Sequence, residues 1–161
     1  MTTSEYNKSV DQYSDNIYRF ALKNLRDSEK AKDIVQDTFM KLWVKVDDVN
    51  YEKVKSYLFT SAYHSMVDLS RKEKRVGEYN EAKVKKMGHN DQYSDAKEIL
   101  DAAVAKLPDI QRQMILLRDY EGYSYEEIGE ITNLNESQVK VYIFRARKFL
   151  KDYIGNIEAV I

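Results

Sequence analysis

Side chains able to do covalent or metal chemistry are scarce in this sequence. It holds no cysteine and only two histidines, His64 and His89. That excludes a thiol nucleophile, a disulfide scaffold and a cysteine-ligated zinc site, and it argues against a histidine-based metal site. Asp33 and Asp37 stand one helical turn apart and could share a divalent cation, but no second carboxylate pair or histidine partner completes a site. We therefore expect no metal, no cofactor and no catalysis. The spacing supplies recognition chemistry instead. Residues Tyr125 to Val139, YEEIGEITNLNESQV, are spaced as a helix-turn-helix. Gly129 stands where two crossing backbones approach, and Asn133 can take the positive φ of the sharp turn.

Beyond that turn, Asn135 or Glu136 starts a helix, pinned to the one before it by Ile128, Leu134, Val139 and Ile143. Its outward face offers Ser137, Gln138, Lys140, Val141, Phe144 and Arg145, side chains able to contact base edges and phosphates in a major groove. From Glu136 to Asp152 there are five basic and two acidic residues. A three-helix bundle whose last helix is merely basic and solvated fits the same pattern. Tyr142 and Phe149 read as packing residues. A second cluster lies near the N-terminus, where Asp33, Gln36, Asp37, Met40 and Lys41 share one side of a helix beside Phe39 and Trp43. A polar face with a methionine and acidic ends suits docking to a basic, helical protein surface. Leu42 reads as core, and Trp43 suits core or interface equally.

The elements that must position these groups are helical. Five glycines and one proline leave little material for hairpins, and apolar spacings of three and four recur nearly everywhere. A first helix is predicted from about Ser4 to Leu25, with Tyr6, Val10, Tyr13, Ile17, Ala21 and Leu25 in one stripe. Asp27 or Ser28 caps a second, whose apolar face runs through Ala31, Ile34, Val35, Phe39, Leu42, Trp43 and Val46. A break at 47–55 precedes a third helix carrying Val54, Leu58, Ala62, Met66 and Leu69 to the basic run at 71–75. Residues 76–95, with two glycines and no sustained stripe, read as a linker. Ala96 to Leu107 then forms a helix, Pro108 ends it and opens the next, and two short helices follow at about Ser124–Thr132 and Glu136–Tyr153. The fold class is all-α: two small helical domains, 1–75 and 96–161, joined by a linker, the C-terminal one containing the helix-turn-helix.

Of 161 residues, 26 are basic and 27 acidic, a net charge of −1. The N-terminus lacks the basic flank and apolar core of a signal peptide, and no apolar run approaches the ~20 residues that span a bilayer. The chain reads as cytoplasmic, with no membrane insertion.

With these motifs in view, the sequence resembles bacterial RNA polymerase sigma factors of the extracytoplasmic-function type. AKDIVQDTFMKLW at 31–43 is similar to their polymerase-binding helix, and SYLFTSAYHSMVDLSR at 56–71 to the adjoining promoter-reading helix. Leu107-Pro108 through Arg118, EGYSYEEI at 121–128 and FRAR at 144–147 follow the family's second domain in order. The resemblance covers nearly the whole chain. It implies that Asp33, Gln36, Asp37, Phe39, Met40, Lys41 and Trp43 meet the clamp helices of core RNA polymerase. It also implies that the loop at 47–55 holds an unstacked base of the promoter −10 element. Asn50, Tyr51, Lys55, Ser56 and Tyr57 are suitable residues there, since stacking and edge hydrogen bonds must offset a few kcal/mol of unstacking. A solvated loop with incidental tyrosines fits too. His64 lies on the promoter-reading helix, where relatives often have asparagine, and Arg71, Lys72, Lys74 and Arg75 would meet phosphates. The final helix would read the −35 element, with Val141 and Tyr142 where many relatives carry a Ser-Arg pair. An anti-sigma factor is implied as a further partner.

Near neutrality bears on the choice of function. Phosphate neutralisation supplies much of a DNA binder's affinity, so each domain alone should bind duplex weakly. Two weak contacts become strong when one platform carries both. The charge balance thus favours a polymerase specificity subunit. The alternative is a polymerase-independent helix-turn-helix regulator with an N-terminal sensing or dimerisation domain, which would bind duplex tightly by itself.

Overall fold

The computed structural model describes residues 1–77 and 95–160. The chain divides into two units, Met1–Asn90 and Asp91–Ile161, and the regular structure among the described residues is helical throughout. The linker expected at 76–95 lies, apart from its ends, outside the described residues, as does His89. Those ends are helical: the third helix runs through Gly77 and the fourth starts at Asp95.

In the first unit, α1 (Thr3–Leu25), α2 (Ser28–Val44) and α3 (Val54–Gly77) pack against one another, with one 3-10 turn at Tyr51–Lys53. Thr2 and Glu5 form a reciprocal capping box that starts α1. Arg26 ends α1 in the left-handed region at φ 54°, and Asp27 caps α2 at once by accepting from the backbone N–H groups of Glu29 and Lys30. The two-residue connection makes α1 and α2 neighbours. Their core joins Ile17, Phe20, Ala21, Ala31, Ile34, Phe39 and Leu42 to Leu58, Phe59, Ala62 and Met66 of α3. Phe20 and Phe59 pack with ring centroids 5.4 Å apart, and burying each such ring contributes about 1.5–3 kcal/mol. The stripe expected on α1 omits Phe20, Ser9 and Asn24, all buried. Ser9 and Asn24 satisfy donors on carbonyls one turn back, Glu5 and Phe20, so polar side chains hide inside the apolar period. α2 stops at Val44, short of the expected Val46. Val49 instead buries itself from the following loop.

In the second unit, α4 (Asp95–Lys106), α5 (Asp109–Ile115), α6 (Tyr125–Thr132) and α7 (Glu136–Val160) close a core of Ala103, Val104, Leu107, Met114 to Leu117, Ile128, Ile131, Val139, Ile143 and Ala146. Pro108 occupies the N-cap of α5. The helix that Pro108 opens widens into a π turn at Leu116–Tyr120, and Gly122 leaves it at φ +78°. α7 continues past the expected Tyr153 to Val160.

The helix-turn-helix is built as its residues require. Ser124 and Glu127 form a capping box on α6, and Asn133 closes that helix at φ 60°. A β-carbon at Gly129 would lie 2.8 Å from the Leu134 carbonyl oxygen, so the chain crosses α6 where only hydrogen fits. Gly129→Ala gains about 0.5–1 kcal/mol of helix propensity but drives a methyl into a backbone oxygen that cannot rotate away. Overpacking of about 1–3 kcal/mol dominates. Thermal melts should therefore show the second unit destabilised, and an unchanged or raised melting temperature would contradict this close approach.

Candidate nucleic-acid and partner interfaces

Each helix that buries one stripe presents the other. On α2, burial of Ala31, Ile34, Thr38, Phe39 and Leu42 turns Asp33, Gln36, Met40, Lys41, Trp43 and Val44 outward. Met40 is 67% exposed, Trp43 50% and Val44 81%, an apolar group open to solvent. Trp43 is steadied by the edge of Tyr6, at a centroid distance of 5.0 Å. The Tyr6 hydroxyl donates to the Phe39 carbonyl over 3.0 Å. Phe39, expected at the docking face, is instead 6% exposed and packs beneath it, against Tyr6. Leu42 is fully buried.

Asp37 is not a simple outward acid. Its Oδ2 accepts from the Ser65 hydroxyl at 3.0 Å and lies 2.9 Å from Lys41 Nζ, which donates to Ser65 at 3.2 Å. The three groups tie α2 to α3, as does an ion pair of Lys30 with Glu73. On one side of this tie a groove of about 300 Å³ is lined by Asp33, Asp37, Lys41, Ser65 and Lys72 among others. On the other side Asp37, Met40, Lys41, Val44, Lys45 and Tyr57 line a depression of about 400 Å³. Tyr57, expected among base-contacting residues, thus borders the apolar face of α2. Val44 and Lys45 were not singled out in the sequence; Val44 was hidden because an apolar residue beside Trp43 reads equally as core.

The loop after α2 is more structured than its composition suggests. Asn50 caps the 3-10 turn by accepting from the Glu52 N–H at 3.0 Å, and Tyr51 is half-buried. Lys55, Ser56 and Tyr57 lie in the first turns of α3, all partly exposed. His64 is exposed against the edge of Tyr63, and Arg71, Lys72, Lys74 and Arg75 are all exposed near the end of α3.

On α7, Val139, Ile143 and Ala146 are buried, so Ser137, Gln138, Lys140, Val141, Phe144 and Arg145 face solvent. Most of these line a shallow groove of about 260 Å³ with Asn135 and Tyr142. Gln138 has a structural duty as well. Its Oε1 accepts from the Asn135 N–H at 3.1 Å, while Asn135 Oδ1 accepts from the Gln138 N–H at 2.8 Å. Lys140 lies 3.3 Å from Glu136 and 5.5 Å from the centre of the Tyr125 ring, which Arg118 also covers at 4.6 Å. Arg147 turns back to Asp119 with two hydrogen bonds, at 2.6 and 3.2 Å. Asp119 thereby raises the guanidinium pKa above its ordinary value and braces α7 on the π turn. Phe149 stacks on Tyr153.

Two separate matches cover most of the chain: residues 10–76 match sigma-70 region 2, and residues 97–150 match sigma-70 region 4. The ECF RNA polymerase sigma factor SigM of Bacillus subtilis (strain 168) is 31% identical, over 86% of this chain and 88% of its own length. The RNA polymerase sigma factor SigV of the same organism is 30% identical, over 88% and 86%. Among solved structures, the sigma factor RpoE of Bartonella quintana, in complex with the anti-sigma factor NepR, superposes with a TM-score of 0.83 at 26% identity, covering 95% of this chain and 98% of that one. The chain belongs to the sigma-70 family, as a sigma factor of the extracytoplasmic-function type. Its members bind core RNA polymerase, recognise −10 and −35 promoter elements and direct transcription initiation. Among the described residues no helix is long and apolar enough to cross a membrane.

Asn135→Ala removes the reciprocal cap of α7 and should destabilise the second unit by about 0.5–2 kcal/mol. Chemical denaturation measures this, and a loss below a few tenths would show that the Asn135–Gln138 pair does not hold the helix start.

Proposed function

We propose that residues 1–75 dock on core polymerase and engage the −10 element, that 96–161 read the −35 element, and that 76–95 join the two. The observation that carries the docking assignment is the exposed apolar group Met40, Trp43 and Val44 on α2. An apolar centre with a polar rim is how protein interfaces are composed, and Asp33, Gln36, Lys41 and Lys45 supply the rim. Asp37 acts through Lys41 and Ser65, holding α2 to the promoter-reading helix.

For the −10 element, the 3-10 turn and the start of α3 offer Asn50, Tyr51, Lys55 and Ser56 to an unstacked base. His64 and the run from Arg71 to Arg75 follow the strand and its phosphates. For the −35 element, α7 enters the major groove with Ser137, Gln138, Lys140, Val141, Phe144 and Arg145. The chain supplies recognition and leaves catalysis to the polymerase, in the cytoplasm where that enzyme works. The Bartonella quintana relative is held by an anti-sigma factor, which supports an inhibitor of the same kind for this chain.

Run-off transcription with core polymerase and this protein, with start sites mapped across a genome, tests the assignment. The expected result is initiation at a distinct set of promoters sharing upstream and −10 elements. Nanomolar duplex binding by the chain alone in ordinary salt would favour an autonomous regulator instead. A Met40→Glu, Val44→Glu double variant places two charges in the exposed group. It should reduce co-purification with core polymerase at least tenfold, the effect of losing about 1.4 kcal/mol, while the melting temperature stays within a few degrees. Full retention of core binding would move the docking site elsewhere.

A further inference from the structure

The outward face of α7 carries less free hydrogen-bonding capacity than its composition suggests. In the first turns of α7, Gln138 is the carboxamide able to pair with adenine in the bidentate fashion, which needs its oxygen as acceptor and its nitrogen as donor. In the structure that oxygen already accepts one hydrogen bond, from the Asn135 N–H, which holds the carboxamide in the cap. Arg147 is turned to Asp119, and Lys140 leans towards Glu136. The large apolar side chains that α7 shows to solvent are Val141, 44% exposed, and Phe144, 70% exposed. With Ser137, Arg145 and Lys148 they occupy a single side of the helix, all exposed. The inner stripe of Val139, Ile143 and Ala146 is already complete, so the fold itself gives these two apolar groups nothing to cover.

A basic helix face with an apolar centre matches one feature of a duplex. Base edges in the major groove are polar except for the 5-methyl group of thymine, and Arg145 and Lys148 flank the apolar pair with charge suited to phosphates. Three residues of helix rise about 4.5 Å, comparable with the ~3.4 Å between stacked pairs. Val141 and Phe144 therefore reach neighbouring base pairs. Resting on the assignment of α7 as the helix that reads the upstream element, we propose that Val141 and Phe144 select that element by contact with thymine methyl groups.

The test uses core polymerase reconstituted with the full chain, on a promoter identified by start-site mapping. Each thymine of the upstream element is replaced in turn by 2′-deoxyuridine, which removes only the methyl group, with replacements outside the element as controls. Promoter affinity is expected to fall about three- to fivefold at one or two positions, the effect of one buried methyl. Val141→Ala and Phe144→Ala should each abolish the discrimination at one of those positions while core assembly is retained. The proposal is overturned if the parent holoenzyme tolerates every uridine, if the element contains no A·T pair, or if both variants discriminate as the parent does. Loss of core assembly in either variant would also overturn it, because the face would then be docking protein. Arg145→Ala separates this proposal from the reading beneath it. Weakened promoter binding in that variant, together with indifference of the parent to uridine, defeats methyl selection alone. Unchanged footprints over the upstream element in Arg145→Ala, Val141→Ala and Phe144→Ala defeat both.

Discussion

A helix that buries one stripe in a small core has no freedom over what it shows to the outside, and this rule governs both proposed interfaces. Placing Ala31, Ile34, Thr38 and Leu42 against α1 and α3 leaves Met40, Trp43 and Val44 in water. Placing Val139, Ile143 and Ala146 against α5 and α6 does the same for Val141 and Phe144. Any change that rotated either helix by one residue, about 100°, would submerge part of its outward face and expose core. The caps and crossings that set those rotations therefore matter as much to function as the exposed groups.

Several polar residues near the interfaces turn out to serve this positioning. Asn50 starts a 3-10 turn, Asp37 bridges to Ser65, and Gln138 closes a cap with Asn135. Two of these bonds are local, side chain to backbone, and the third joins side chains of α2 and α3; each engages a group that residue type alone would assign to a partner. What remains outward is more apolar than the composition suggests, on α2 and on α7 alike. An apolar centre gives shape-dependent recognition, whereas charge gives attraction that salt screens.

The distribution of charge fits a subunit that works only in company. A net charge of −1 provides little general attraction to DNA, and the basic groups gather at the end of α3 and on α7, one set in each unit. Each patch by itself would release few counterions and bind weakly. Carried on one polymerase, the second contact gains the advantage of high effective concentration. Selectivity then depends on both elements being present, which suits a promoter specificity factor.

Much of this was legible in the residues alone. The helical class, the boundaries near Leu25, Pro108 and Thr132, and the roles of Gly129 and Asn133 follow from local rules of period, capping and φ. Those rules act within a few residues and need no partner from elsewhere in the chain. The division of Phe39 from Trp43, the burial of Phe20, Ser9 and Asn24, the exposure of Val44 and the bonds that occupy Asp37 and Gln138 were different. Three of these depend on which neighbour a side chain meets across tens of residues. Phe39 lies beneath Tyr6, Phe20 meets Phe59, and Asp37 meets Ser65. Spacing along one helix says which residues share a side; only the packing of that helix against others says which side is inside.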